Sequence, residues 1–128
     1  MTNEQLNELG GIILYCCITV HKTLGPGLLE SAYVLALMKE FEIRKIKAKS
    51  QQPIEMSYKG VLLGKVYIID ILVEDEIILE LKAVDKIEPI FKAQLITNLK
   101  LADKKLGYLI NFNVPLLKDG FKRIVYNF

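Results

Sequence analysis

The pattern of this 128-residue chain predicts a mixed α/β fold, an α+β sandwich of helices and strands. Three observations carry that prediction. Apolar residues recur at helical spacing from Leu6 to Leu24. Two runs rich in Ile, Leu and Val, 61–73 and 77–84, follow with an acidic tip between them. Pro89 then opens a further helical stretch ahead of a short apolar strand.

Taken in order, Thr2 and Gln5 make a capping-box pair, and Leu6, Leu9, Ile13, Cys16, Val20 and Leu24 line one helix face. Gly25-Pro26-Gly27 breaks that helix. A second helix is predicted from about Leu28 to Phe41, a stretch rich in Leu, Ala and Met. The basic run from Arg44 to Lys49 is ambiguous. Pro53 to Tyr58 alternates as a strand does, and Lys59-Gly60 is its turn. Val61 to Val73 is the next strand, with Gly64 a bulge or bend, and Ile77 to Val84 is the third. A third helix runs from Pro89 to about Lys105. Gly107 to Phe112 is a short apolar strand, and Phe121 to Tyr126 is an optional edge strand. The order is ααβββαβ with that extra C-terminal strand. No repeat, linker or low-complexity tract divides the chain, so residues 1–128 form a single expected domain.

Hydrophobic residues make up 52% and charged residues 25%, the balance of a soluble globular protein. A net charge of +2 supplies no argument for nucleic acid by itself. The basic residues do cluster, at Arg44, Lys45, Lys47 and Lys49 and again at Lys100, Lys104 and Lys105. Such clusters serve as solvated faces or as phosphate contacts. Cys16 and Cys17 are helix neighbours that point apart, so they are expected as reduced, buried hydrophobes. The polar N-terminus shows no signal-peptide pattern, and the apolar stretch Ile12 to Val20 is too short to span a bilayer. A cytoplasmic protein without a membrane partner is expected. The single histidine, His21, cannot build a His-rich zinc site, and no serine context suggests a Ser/His/Asp triad.

The chemistry concentrates in IIDILVEDEIILELKAV, residues 68–84, where Asp70, Glu80 and Lys82 interrupt apolar stretches. Glu80 and Lys82 are two apart and share a strand face. Whether Asp70 joins them depends on the connection. A two-residue turn at Glu74-Asp75 sends Asp70 to the other face, whereas a three-residue turn, Glu74 to Glu76, opposes Asp70 to Glu80 and Ile68 to Lys82. Brought together, the carboxylates and the lysine can hold a hard cation and steady an attacking hydroxide. The competing reading is a wet sheet face with Glu80 paired to Lys82. Glu30 shares a helical stripe with Val34, Leu37 and Phe41, where it either favours the helix dipole or serves as a remote third ligand. Gln94 and Asn98 lie one turn apart on the third helix, as a solvent-touching flank or as amides that orient a catalytic group or a nucleic-acid backbone.

With these residues in view, the chain resembles the GxxExxY family of the PD-(D/E)xK nuclease-like superfamily. The naming motif stands as Gly27-Leu28-Leu29-Glu30-Ser31-Ala32-Tyr33, and the superfamily motif as Asp70 followed by Glu80-Leu81-Lys82. The later helix carries Ala93-Gln94-Leu95, and the strand after it reads GYLINF. The resemblance implies a restriction-endonuclease-like αβββαβ core. It implies Asp70, Glu80 and the Leu81 carbonyl as ligands of Mg²⁺ (or Mn²⁺), with Glu30 the outlying acid. It also implies Lys82 beside the attacking water. Two positions depart from the family pattern: Ile68 and Ile69 precede the aspartate where polar residues are frequent, and Asn98 stands where tyrosine is frequent. The function implied is Mg²⁺-dependent hydrolysis of nucleic-acid phosphodiester bonds, with DNA the favoured partner and a homodimer left open. Gln94, Asn98, Arg44, Lys45 and Lys47 are the candidate substrate contacts. The alternative is a non-catalytic nucleic-acid-binding or protein-interaction module that retains the fold.

Overall fold

The computed structural model describes residues 1–128. Helix α1 (Asn3–Leu24) starts at Thr2, whose hydroxyl accepts the Gln5 amide while the Gln5 side chain accepts the Thr2 amide. It ends at Gly25, which takes a positive φ. Helix α2 (Glu30–Ile43) follows the Gly-Pro-Gly break. Strands β1 (Ala48–Tyr58), β2 (Val61–Val73) and β3 (Ile77–Lys82) come next, then α3 (Pro89–Ala102) with Pro89 in its first turn. Strand β4 (Leu106–Asn111), a short 3₁₀ turn (Leu117–Gly120) and β5 (Phe121–Val125) complete the chain.

The five strands form one sheet in the order β1-β2-β3-β4-β5. All neighbours are antiparallel except β3 and β4, which run parallel and are joined by α3. The alternation of β3 shows what the sheet separates. Ile77, Leu79 and Leu81 face α1 and α2, in a core with Leu6, Ile13, Tyr33, Leu37 and Phe41. Ile78 faces α3, in a second core with Leu95, Leu99, Leu109 and Ile124. Glu80 and Lys82 follow Ile78 on that α3 face. The architecture is the predicted mixed α+β sandwich with a restriction-endonuclease-like core, order ααβββαβ plus the C-terminal strand.

Several boundaries differ from expectation, each for a tertiary reason. Strand β1 begins at Ala48 rather than Pro53, because Ala48, Lys49 and Ser50 pair with Val73, Leu72 and Ile71. Pro53 is tolerated inside β1 because β1 is an edge strand. Helix α3 stops at Ala102, where Asp103 turns left-handed, so Lys105 lies outside it. Strand β3 stops at Lys82, and Val84 is held instead by the Asn111 side chain, which accepts its N–H and donates to its carbonyl. His21 is buried and its Nε2 hydrogen-bonds the Val114 carbonyl at 2.8 Å, tying α1 to the loop before β5. Cys16 and Cys17 are free and buried, and burial raises both thiols. No helix is long and apolar enough to cross a membrane.

Candidate metal and catalytic centre

The β2–β3 connection decides the centre. It has three residues, Glu74, Asp75 and Glu76, with Glu74 and Asp75 in positive φ and the Glu76 amide bonded to the Val73 carbonyl. The ladder pairs Val73 with Ile77, Leu72 with Ile78 and Ile71 with Leu79. One more step would oppose Asp70 to Glu80, and there the backbone pairing stops. The Asp70 carboxylate takes over: its Oδ2 accepts the Leu81 amide at 2.8 Å. The strands therefore part at Asp70, and the side chain that parts them also satisfies a β3 amide that the ladder leaves free.

Glu80 stands beside Asp70, near enough for the Asp70 charge to act on it. Its own carboxyl is pushed up to about 8, first by burial and then by the Asp70 charge, while Lys82 and Asn98 oppose the shift. Asn98 is buried, contrary to the solvent-flank reading, and its Nδ2 donates to Glu80 Oε1 at 3.2 Å. The Asn98 Oδ1 is buried without a partner. Lys82 forms no ion pair with Glu80; its Nζ lies 4.5 Å from the centroid of the Phe91 ring. Tyr67, Ile68, Glu80, Lys82, Phe91, Gln94 and Asn98 together line a cavity of about 230 Å³.

The other candidates lie elsewhere. Glu30 is exposed at the first turn of α2, and no third acidic, histidine or cysteine side chain joins Asp70 and Glu80 in one group. The expected inward stripe through Glu30 is displaced by one residue, because Tyr33, not Glu30, lies one turn before Leu37 on the buried face. Tyr33 stacks on Phe112 at 4.4 Å. Its hydroxyl donates to the Gly25 carbonyl and accepts the Leu28 amide, pinning the Gly-Pro-Gly break. Arg44 is held by Glu40 at 3.0 Å and by the face of the Tyr15 ring. Lys45 sits in a left-handed turn after α2. The Lys47 amide bonds Glu74, so its basic neighbourhood lies at the turn end of the β2–β3 hairpin, away from Lys82. Lys47 and Lys49 border a separate groove of about 610 Å³ there. None of Arg44, Lys45 and Lys47 lines the cavity of Glu80 and Lys82.

The model of the PD-(D/E)XK nuclease superfamily matches residues 7–124. The chain belongs to the PD-(D/E)XK nuclease superfamily. Within that span the sequence has an aspartate at Asp70 and a Glu-x-Lys string at Glu80-Leu81-Lys82, with isoleucine at position 69 before the aspartate. No curated protein and no solved structure gives a match. Two carboxylates with no thiol or imidazole beside them suit a hard cation. Mg²⁺ in particular is commonly held by one or two carboxylates and completes its shell with water and phosphate oxygens. The residues present fit such an ion: burial and the Asp70 charge hold a proton on Glu80, and that proton marks the charge that a cation would replace. Tyr67, Ile68 and Phe91 escaped the sequence reading as cavity residues. Their apolar character points to core, and only the parting of β2 from β3 leaves them beside the centre.

Proposed function

We propose that this superfamily member is a divalent-cation-dependent nuclease of the GxxExxY type, hydrolysing phosphodiester bonds of nucleic acid, DNA in the first instance, in the cytoplasm. The observation that carries the reading is the parting of β2 and β3, where Asp70 lies beside Glu80 while Glu80 and Lys82 line one cavity. The GxxExxY assignment is supported by the string from Gly27 to Tyr33 and by the job its tyrosine has in fixing the loop before α2.

Asp70 and Glu80, with the Leu81 carbonyl, would hold Mg²⁺ or Mn²⁺. When bound, the cation supplies charge neutralisation at the phosphate and a more acidic water. Asp70 is positioned in advance by the Leu81 amide, so one ligand costs little reorganisation. Glu80 is oriented by Asn98. Lys82, resting over Phe91 without a carboxylate partner, has its ammonium free to reach a water beside the scissile phosphate. Gln94 on the exposed rim and Asn98 deeper in the cavity would contact the nucleotide. Lys47, beyond the cavity, would meet the backbone of a longer substrate. Glu30, Arg44 and Lys45 stand outside this set.

A non-catalytic binding module is the second reading, favoured by the two-carboxylate donor set and by the Lys82–Phe91 contact. One assay separates the two: purified protein with mixed DNA and RNA substrates, with and without Mn²⁺ or Mg²⁺. Cation-dependent cleavage is expected, and Lys82→Ala should slow it by about 100-fold or more. Binding without cleavage by wild type would leave the binding-module reading in its place, and equal cleavage by Lys82→Ala would remove Lys82 from the chemistry.

A further inference from the structure

The cavity at Glu80 and Lys82 is furnished beyond what holding a cation requires. Of its polar side chains, Glu80 and Asn98 are hydrogen-bonded to each other, while Tyr67, Lys82 and Gln94 have no hydrogen-bond or ion-pair partner in the protein. Two aromatic rings, Tyr67 and Phe91, and the aliphatic Ile68 stand among them. Apolar and aromatic walls with a few uncommitted polar groups suit a flat organic ring.

Phe91 shows which face such a ring would use. It lies in the first turn of α3, half-buried on the cavity wall, with Gln94 three residues further along the same side of the helix. Over its ring lies the Lys82 ammonium, 4.5 Å from the centroid. A second ring stacked on Phe91 would have its centroid ~4.5–7 Å away. The ammonium therefore stands where a stacked ring would lie, and no carboxylate holds it there. Lysine carries its charge on a flexible stem, so it can leave when a flat group arrives. A nucleobase is such a group, and it brings a phosphate to which the displaced ammonium can move. The cavity, about 230 Å³, falls below the ~300 Å³ at which ordinary small-molecule clefts begin, so it suits one base rather than a base pair. Inside a duplex both faces of a base are covered by its neighbours. An unpaired nucleotide can give one of them to Phe91.

We propose that the cavity seats one unpaired nucleotide, its base stacked on Phe91 in the place of the Lys82 ammonium, which makes single-stranded nucleic acid the substrate class. Gln94 on the rim meets the base edge, and Lys82, moved off the ring, meets the phosphate. The inference rests on the nuclease reading for its class of ligand, and its test measures binding without cleavage.

The test uses the full chain with chelator present, so that no strand is cut. Fluorescence anisotropy reads the affinity for three labelled probes: a single-stranded DNA, the blunt duplex of the same sequence, and an abasic strand of the same length. Wild type should bind the single strand at least about 10-fold more tightly than either of the others, since base–aromatic stacking contributes on that scale. The abasic comparison needs no variant. Phe91→Leu keeps an apolar side chain at the wall but offers no ring. It should lose about 10-fold on the single strand and change little on the abasic one. Phe91→Trp should keep the wild-type preference, and circular dichroism checks that both variants are folded. Equal binding of normal and abasic strands, a duplex held as tightly as the single strand, or a folded Phe91→Leu variant with wild-type affinity would each overturn the inference and leave the nuclease reading standing. Binding of none of the three probes would remove that reading, and this inference with it.

Discussion

At Glu80, burial and the Asp70 carboxylate act in the same direction: both oppose ionisation, and they push its carboxyl up to about 8. The folded protein then holds a proton that the unfolded chain releases near pH 4.5. Between those two values the native state binds more protons than the unfolded state, so stability falls as pH rises. The contribution is fully present below about pH 4.5 and lost by about pH 8, on the order of a few kcal/mol. Glu80→Gln keeps an acceptor for Asn98 and removes the titrating group. In chelator-treated samples, denaturant midpoints at pH 5 and pH 8 should differ for wild type. For Glu80→Gln that difference should shrink, with the variant the more stable of the two at pH 8. A variant as pH-sensitive as wild type would place the titration on another group. Asn98 sharpens the same point, since its buried amide holds Glu80 while its Oδ1 lacks a partner. A polar group left that way is expensive in a purely structural core.

Strand parity carries the centre at the level of elements. The even separation of Asp70 and Glu80 demanded a three-residue or bulged connection, and the Glu74–Glu76 turn has three residues. That much was legible because register is a counting argument. So were the three helices, whose caps and breaks are local: Thr2 with Gln5, Gly25, Pro89. What was not legible depends on partners distant in sequence. Ala48–Ser50 become strand only because β2 lies beside them. Asn98 and Phe91 become site residues only because α3 crosses the face that carries Glu80 and Lys82. Glu30 was misjudged because its spacing to Leu37 also fits a stripe one residue off the buried one. Asn111 belongs to this class as well. It ends β4 fully inside the protein and clamps both backbone groups of Val84, fixing the chain as it leaves Lys82. Asn111→Leu should strand the Val84 amide and carbonyl and cost about 1–3 kcal/mol. A urea midpoint unchanged from wild type would show that the clamp contributes nothing.

For the molecule as a whole, the sandwich places an electrostatic conflict where two strands separate, with apolar cores on both sides of the sheet. Asp70 and Glu80 repel, and one proton relieves them. A cation bound by the folded state alone would relieve them better and raise the melting temperature with its concentration. Because it must displace the proton on Glu80, its effect is linked to pH. Below about pH 8 binding releases that proton, so affinity should climb as pH rises from 6 to 8 and level off above. Thermal unfolding across a Mn²⁺ titration at fixed ionic strength reads both effects. Wild type should gain melting temperature, and gain more at pH 8 than at pH 6. Asp70→Asn should lose most of that gain at either pH. Its cation-free form should melt no lower than wild type at pH 8, since the repulsion has gone while the new amide can still face Glu80. Equal Mn²⁺ responses from the two proteins would remove Asp70 from the ligand set. An equal gain at pH 6 and pH 8 would mean that the Glu80 proton and the cation do not compete for the same carboxylate.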